Sequence, residues 1–153
     1  KIYTKCDKLP PQYISENGEI EKCIIGEGAQ IYGKVYNSVI GCGVTIGEGT
    51  IVRDSIIMND TEIGFGGNIE KAIIAENVHI GDHVRIGEGE EVENNTAPHI
   101  YNHGLVCVGE KSTVPNGVTI GKNVVISGET NEADYENMYL ASGKSLIKAG
   151  DEV

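Results

Sequence analysis

An all-β fold, a parallel β-helix with three faces, is what this sequence predicts, and three observations predict it. Isoleucine or valine recurs every five or six residues. A small residue stands two places ahead of nearly every one of them. Longer units beginning at Ile20, Val35, Val52 and Ile69 follow one another at spacings of 15, 17 and 17 residues.

Residues 1–19 carry Pro10-Pro11, whose rings fix φ, and form a stiff lead-in or linker. Residues 20–92 form the main coil, because their aliphatics fall into three columns. One holds Ile20, Val35, Val52, Ile69 and Ile86. Another holds Ile25, Ile40, Ile57, Ile74 and Val92. The third holds Ile31, Ile46, Ile63 and Ile80. Every position is β-branched, the type that fits a pleated strand.

A second set of positions checks this register. From Gly18 through Cys23, Ala29 and Gly33 to Val78 and Val84, the residue two places earlier is small, and the run breaks at Glu90. A prism demands this pattern. The long aliphatic fills the centre, and the side chain two places back also points inward, near a corner with little room. Glycine follows the aliphatic at Gly26, Gly41, Gly47, Gly64, Gly81 and Gly87. These glycines are expected to supply turn angles that other residues resist.

Residues 93–104 are polar and interrupt the rhythm as a loop or arm. Residues 105–126 resume it with Val108, Val114, Ile120 and Ile126. Residues 127–153 open with an acidic stretch containing Glu129, Glu132, Asp134 and Glu136, expected to be a solvated loop. Leu140 to Lys148 is expected to return as a strand against the open end of the prism.

Composition narrows the function. The chain has 153 residues with 21 glycines, a single phenylalanine and a net charge of −11. Nucleic acid and anionic membranes call for a positive footprint, and no basic cluster is present, so neither is expected as a partner. Four scattered cysteines, Cys6, Cys23, Cys42 and Cys107, lack metal-like spacing and fit a reducing compartment, so the cytoplasm is expected. No apolar run approaches the roughly 18 residues of a membrane span.

Two segments carry a narrower resemblance. Ile2-Tyr3-Thr4-Lys5 and Leu9-Pro10-Pro11-Gln12-Tyr13-Ile14 resemble the stretch that follows the nucleotidyltransferase domain in bacterial glucose-1-phosphate adenylyltransferases. The runs Gly47–Met58 and Ile69–Gly87 are similar to that family's C-terminal domain, a left-handed parallel β-helix built of hexapeptide repeats. The left hand is implied by this resemblance alone, since parallel crossovers are otherwise right-handed. The family joins ATP and glucose 1-phosphate into ADP-glucose and pyrophosphate for glycogen synthesis. Its nucleotide loop and metal-binding aspartates lie in the N-terminal domain. The resemblance therefore implies a non-catalytic domain for oligomerisation and allosteric control. No catalytic, cofactor-binding or metal residue is expected here, and Mg2+ with ATP is expected to serve the parent enzyme elsewhere. Its partners would be that catalytic domain and other subunits, identical or not.

Candidate residues have plain readings beside sharper ones. His79 and His83, and likewise His99 and His103, are four apart, a metal spacing only on a helix, which these segments are not. His99 or His103 could act as the base of a hexapeptide acyltransferase, but no paired acid is evident. A paralogous non-catalytic subunit or a free-standing scaffold is the other alternative. Ala141-Ser-Gly-Lys-Ser145 imitates a phosphate loop, yet Met138 stands where that motif needs glycine. Gly26-Glu-Gly28, Gly47-Glu-Gly49 and Gly87-Glu-Gly89 lack the third glycine of a dinucleotide fingerprint. Phe65 is expected at an exposed turn. Cys23 should pack inward, and Cys42 should lie nearer a turn.

Overall fold

The computed structural model describes residues 8–148, so Ile2–Lys5, Cys6 and residues 149–153 lie outside the described part. Among the described residues, strands of two to four residues run around a three-sided coil, and all of the pairings are parallel. The first face stacks Tyr13–Ile14, Gln30–Ile31, Thr45–Ile46, Glu62–Ile63, His79–Ile80 and Thr113–Val114. The second runs from Glu19–Glu21 through Lys34–Tyr36, Ile51–Arg53, Asn68–Glu70, Arg85–Glu88 and Thr119–Gly121 to Tyr139–Leu140. The third runs from Ile24–Ile25 through Val39–Ile40, Ile56–Ile57, Ala72–Ile74, Val106–Val108 and Val125–Ser127 to Ser145–Ile147.

The columns are real. Ile31, Ile46, Ile63 and Ile80 stand in direct register on one face, each buried. Val35, Val52, Ile69 and Ile86 do the same on the second. The coil begins earlier than the columns suggest, because Tyr13–Ile14 already pairs with Gln30–Ile31. It also leaves its column sooner. Val92 is 51% exposed, and Val108 takes the place beyond Ile74. The chain departs after Arg85–Glu88 and rejoins at Val106–Val108, so Val92 belongs to the arm.

The small inward positions are buried as expected, and their hydroxyls do more than fit. Thr50 Oγ1 donates to Gly64 O at 2.6 Å and accepts from Gly67 N in the following coil at 3.0 Å. Thr61 repeats this with Ala75 O and Val78 N, and Ser55 with Arg53 O and Ala72 N. Each hydroxyl therefore satisfies backbone groups that the corner takes out of the strand ladder.

The glycines after the aliphatics have a different cause from the one their position suggests. Of the six, only Gly87 has positive φ. A Cβ on Gly26 would lie 2.6 Å from Cys42 N, and one on Gly47 would lie 2.5 Å from Gly64 O. Close stacking of successive turns excludes the side chain there. The left-handed backbone falls two residues later, at Gly28, Gly43, Gly49, Gly66, His83 and Gly89, and at the equivalent corners at Asp60 and Asn77.

The acidic stretch is more than a solvated loop. Glu129, Glu132 and Glu136 are exposed, but Thr130 is buried and Tyr135 packs against the core. A short 3-10 turn, Glu132–Asp134, is capped by Asn131, whose side chain accepts from Ala133 N. The final stretch returns as expected, with Tyr139–Leu140 and Ser145–Ile147 closing the second and third faces.

Candidate functional site

The histidines do not converge. His79 stands outward on the first face, with Nδ1 3.4 Å from Glu62 Oε2. His83 occupies a corner at φ 55°, edge-on to the exposed ring of Phe65, with centroids 5.1 Å apart. His99 and His103 are exposed on the arm. Among the described residues, no three His, Cys, Asp or Glu side chains stand close enough to hold a metal ion. Gly26-Glu-Gly28 and Gly47-Glu-Gly49 lie at corners, while Gly87 and Glu88 belong to the Arg85–Glu88 strand. Gly143 of the phosphate-loop imitation is buried at φ 77°, its N–H donated to Lys122 O.

A cleft of about 570 Å³ lies between the first face and the acidic segment. His79, Thr113 and Asn116 form one wall, and Glu132, Tyr135 and Met138 the other. Burial pushes the Tyr135 phenol up to about 12, so it stays protonated. Asp134 is held below the usual carboxylate range, first by the backbone N–H of Asn131, which donates to Oδ2 at 2.7 Å. These features fix the segment in place. They do not pair a nucleophile with a base, the arrangement covalent chemistry requires.

The arm is pinned by two buried asparagines that the sequence does not single out. Asn94 Nδ2 donates to Asn123 O at 2.8 Å, and its Oδ1 accepts from Thr96 N and Ala97 N. Asn123 donates to Val92 O and accepts from Gly104 N at the far end of the arm. An asparagine offers both donors and an acceptor, which suits it to replace ladder bonds where a strand has been interrupted. Cys23 points into the first coil, with Sγ 3.1 Å from Glu21 O, while Cys42 is half-exposed beside a turn.

The outer faces differ in chemistry. The first and second carry polar and charged residues such as Gln30, Glu62, Lys34 and Arg85. The third presents Ile24, Val39, Ile56, Ile73, Cys107 and Val125 in one continuous register. Burial pushes the Cys107 thiol up. No described helix is long and apolar enough to cross a membrane.

Three stacked parallel faces with an aliphatic interior define a β-helix of hexapeptide repeats. The chain belongs to the GlmU-like C-terminal hexapeptide family, whose model matches residues 8–108. It is 58% identical over 151 residues to a glucose-1-phosphate adenylyltransferase of Lachnospira eligens, covering 99% of this chain and 36% of that protein. A glucose-1-phosphate adenylyltransferase of Acetivibrio thermocellus is 44% identical, with 99% of this chain and 35% of that protein covered. The chain thus spans about a third of the length of these relatives and matches their C-terminal part. Among solved structures, the acetyltransferase domain of PglB from Neisseria gonorrhoeae superposes with a TM-score of 0.53 at 23% identity, covering 88% of this chain and 56% of that one. A hexapeptide transferase family protein from Anaplasma phagocytophilum gives 0.54 at 16%, covering 88% and 72%. These two likenesses concern the fold.

Proposed function

We infer that this chain is the C-terminal assembly and regulatory domain of a glucose-1-phosphate adenylyltransferase, and that it is not itself catalytic. The parent would join ATP and glucose 1-phosphate into ADP-glucose and pyrophosphate, in the cytoplasm, for glycogen synthesis. The observation that carries this reading is the match along 99% of the chain to adenylyltransferases of which it covers about a third. Its charge and geometry support the division of labour. A triphosphate and a sugar phosphate are both anionic, and a chain of net charge −11 is a poor platform for them. Magnesium, with ATP, would serve the catalytic part of the parent enzyme. The partners are that catalytic part and further subunits.

The test compares the chain with the longer polypeptide that carries it, each supplied with ATP, glucose 1-phosphate and magnesium. Pyrophosphate is expected from the longer polypeptide and none from this chain. Turnover by the chain alone overturns the assignment, and so does a longer polypeptide that makes no ADP-glucose.

A further inference from the structure

Asparagine is followed by glycine twice in the chain, at Asn17-Gly18 and at Asn116-Gly117. Asparagine is a thermolabile residue, and a glycine after it leaves the next amide nitrogen unhindered by a side chain. Both pairs sit where the chain passes from the first face to the second, one in the first coil and one near the other end.

Their surroundings differ. Asn116 Oδ1 accepts from Asp82 N of the preceding coil at 2.8 Å, and Gly117 N donates to Asp82 O at 2.8 Å. Both groups of that pair are tied to one residue of another turn. The Asn17 carboxamide is exposed, and among the described residues no hydrogen bond holds it. Gly18 N donates at 2.9 Å to Ser15 O, within its own turn.

A gap in the repeat explains the freedom of Asn17. At this edge Ile14 to Ile20 and Ile46 to Val52 are steps of six residues, but Ile31 to Val35 is a step of four. The Asn17 turn therefore has no turn of equal length beneath it. The shortfall leaves a notch of about 300 Å³ bordered by Asn17, Tyr32, Gly33, Glu48 and Gly49. Tyr13–Ile14 and Glu19–Glu21, on either side of the turn, are the outermost strands of their sheets. Ends of this kind open locally before the interior does.

We propose that Asn17 is a site of spontaneous deamidation, and that Asn116, in the same dipeptide, is protected by the coil. Water is the one co-reactant. Gly18 N gives up its proton and attacks Asn17 Cγ, forming a C–N bond that closes a succinimide ring. The bond from Cγ to the side-chain nitrogen breaks, and ammonia leaves with that proton. Water then opens the ring at either carbonyl, giving aspartate or isoaspartate. Both products place a new carboxylate between Glu16 and Glu19. Isoaspartate also lengthens the backbone by a methylene just ahead of Gly18, where space is short: a Cβ on Gly18 would lie 2.8 Å from Ile31 O. That product therefore loosens the first coil from the second. The inference does not rest on the proposed function.

Peptide mapping of the chain held in mildly alkaline buffer tests it, with conversion read from the mass difference between carboxamide and carboxylic acid. Labelling by an isoaspartyl methyltransferase counts the isoaspartate. In the folded chain Asn17 is expected to convert at least about tenfold faster than Asn116, a ratio equivalent to about 1.4 kcal/mol. In concentrated urea the two should convert at similar rates, because each precedes glycine. Asn17→Gln should remove most of the label from the folded chain. Two residues inserted between Tyr32 and Gly33 restore the full corner and should slow Asn17 while circular dichroism stays unchanged. Equal rates in the folded chain overturn the proposal, and so does a ratio that persists in urea. Label that survives Asn17→Gln, or a folded insertion variant in which Asn17 reacts as before, overturns it too. An insertion variant that fails to fold leaves the decision to the folded and urea rates of the unaltered chain. The same ratio is expected in the longer polypeptide, and its loss there also overturns the proposal.

Discussion

Tyr135 rises from an acidic stretch to pack against the last coils, and burial pushes its phenol from the ordinary 10 up to about 12. The folded chain holds this proton more tightly than the unfolded chain does. Its contribution to stability is therefore complete below pH 10 and is lost as the pH climbs from 10 to about 12. Urea midpoints measured across that window should fall more steeply for the wild type than for Tyr135→Phe; parallel curves would show that the ring titrates as if exposed. The sequence places Tyr135 among four carboxylates, which is why a solvated loop was the natural expectation. The polar majority of the segment masks its single anchor. Thr50, Ser55 and Thr61 illustrate the converse. Their small size was legible from spacing, but their second duty, bonding backbone in the next coil, depends on how corners stack.

At the scale of elements, the arm is the most informative interruption. It leaves the coil after Arg85–Glu88 and returns at Val106–Val108, and Asn94 and Asn123 tie its two ends to one corner. Removing Asn94 would strand the buried N–H of Ala97 and carbonyl of Asn123, and the half-buried N–H of Thr96. Asn94→Ala is expected to cost about 1–3 kcal/mol. Hydrogen exchange should quicken at Thr96 and Ala97 while the Ile46 and Ile63 strands stay protected; uniform loosening of the coil would refute this local account. The existence of the arm was legible in the break after Glu90. Its start was misread because Val92 mimics the aliphatic period, and one residue of the right type is no evidence of register. Gly87 apart, the glycines after the aliphatics were found for the right positions and the wrong reason: contact between turns is a property of two coils, invisible in either alone.

At the scale of the whole molecule, order comes from repetition and charge works against it. The net charge is −11, and the ion pairs among the described residues join mostly exposed groups, such as Lys34 with Glu19 and Lys111 with Glu129. Exposed pairs contribute little, so self-repulsion is largely uncompensated. Raising salt from roughly 10 mM to roughly 150 mM, which shortens the screening length from about 30 Å to about 8 Å, should raise the thermal midpoint. A midpoint that falls would mean that the surface pairs outweigh the repulsion. The architecture at this scale was almost wholly legible, since a column needs only the right residue at the right interval. Function was legible only through resemblance, because a column of aliphatics records packing and not chemistry.

The first coil shows what such regularity leaves unspecified. Ile20 belongs to the same column as Val35 and Val52, yet it is 43% exposed where they are wholly buried. Nothing in a rung records its ordinal place; each reads only the rung on either side. Seventeen residues copied from the middle of the chain and spliced in at a corner would meet the same neighbours they left. The molecule is in that sense a ruler without numerals, and lineages or designers could lengthen it by whole divisions while leaving every existing division intact.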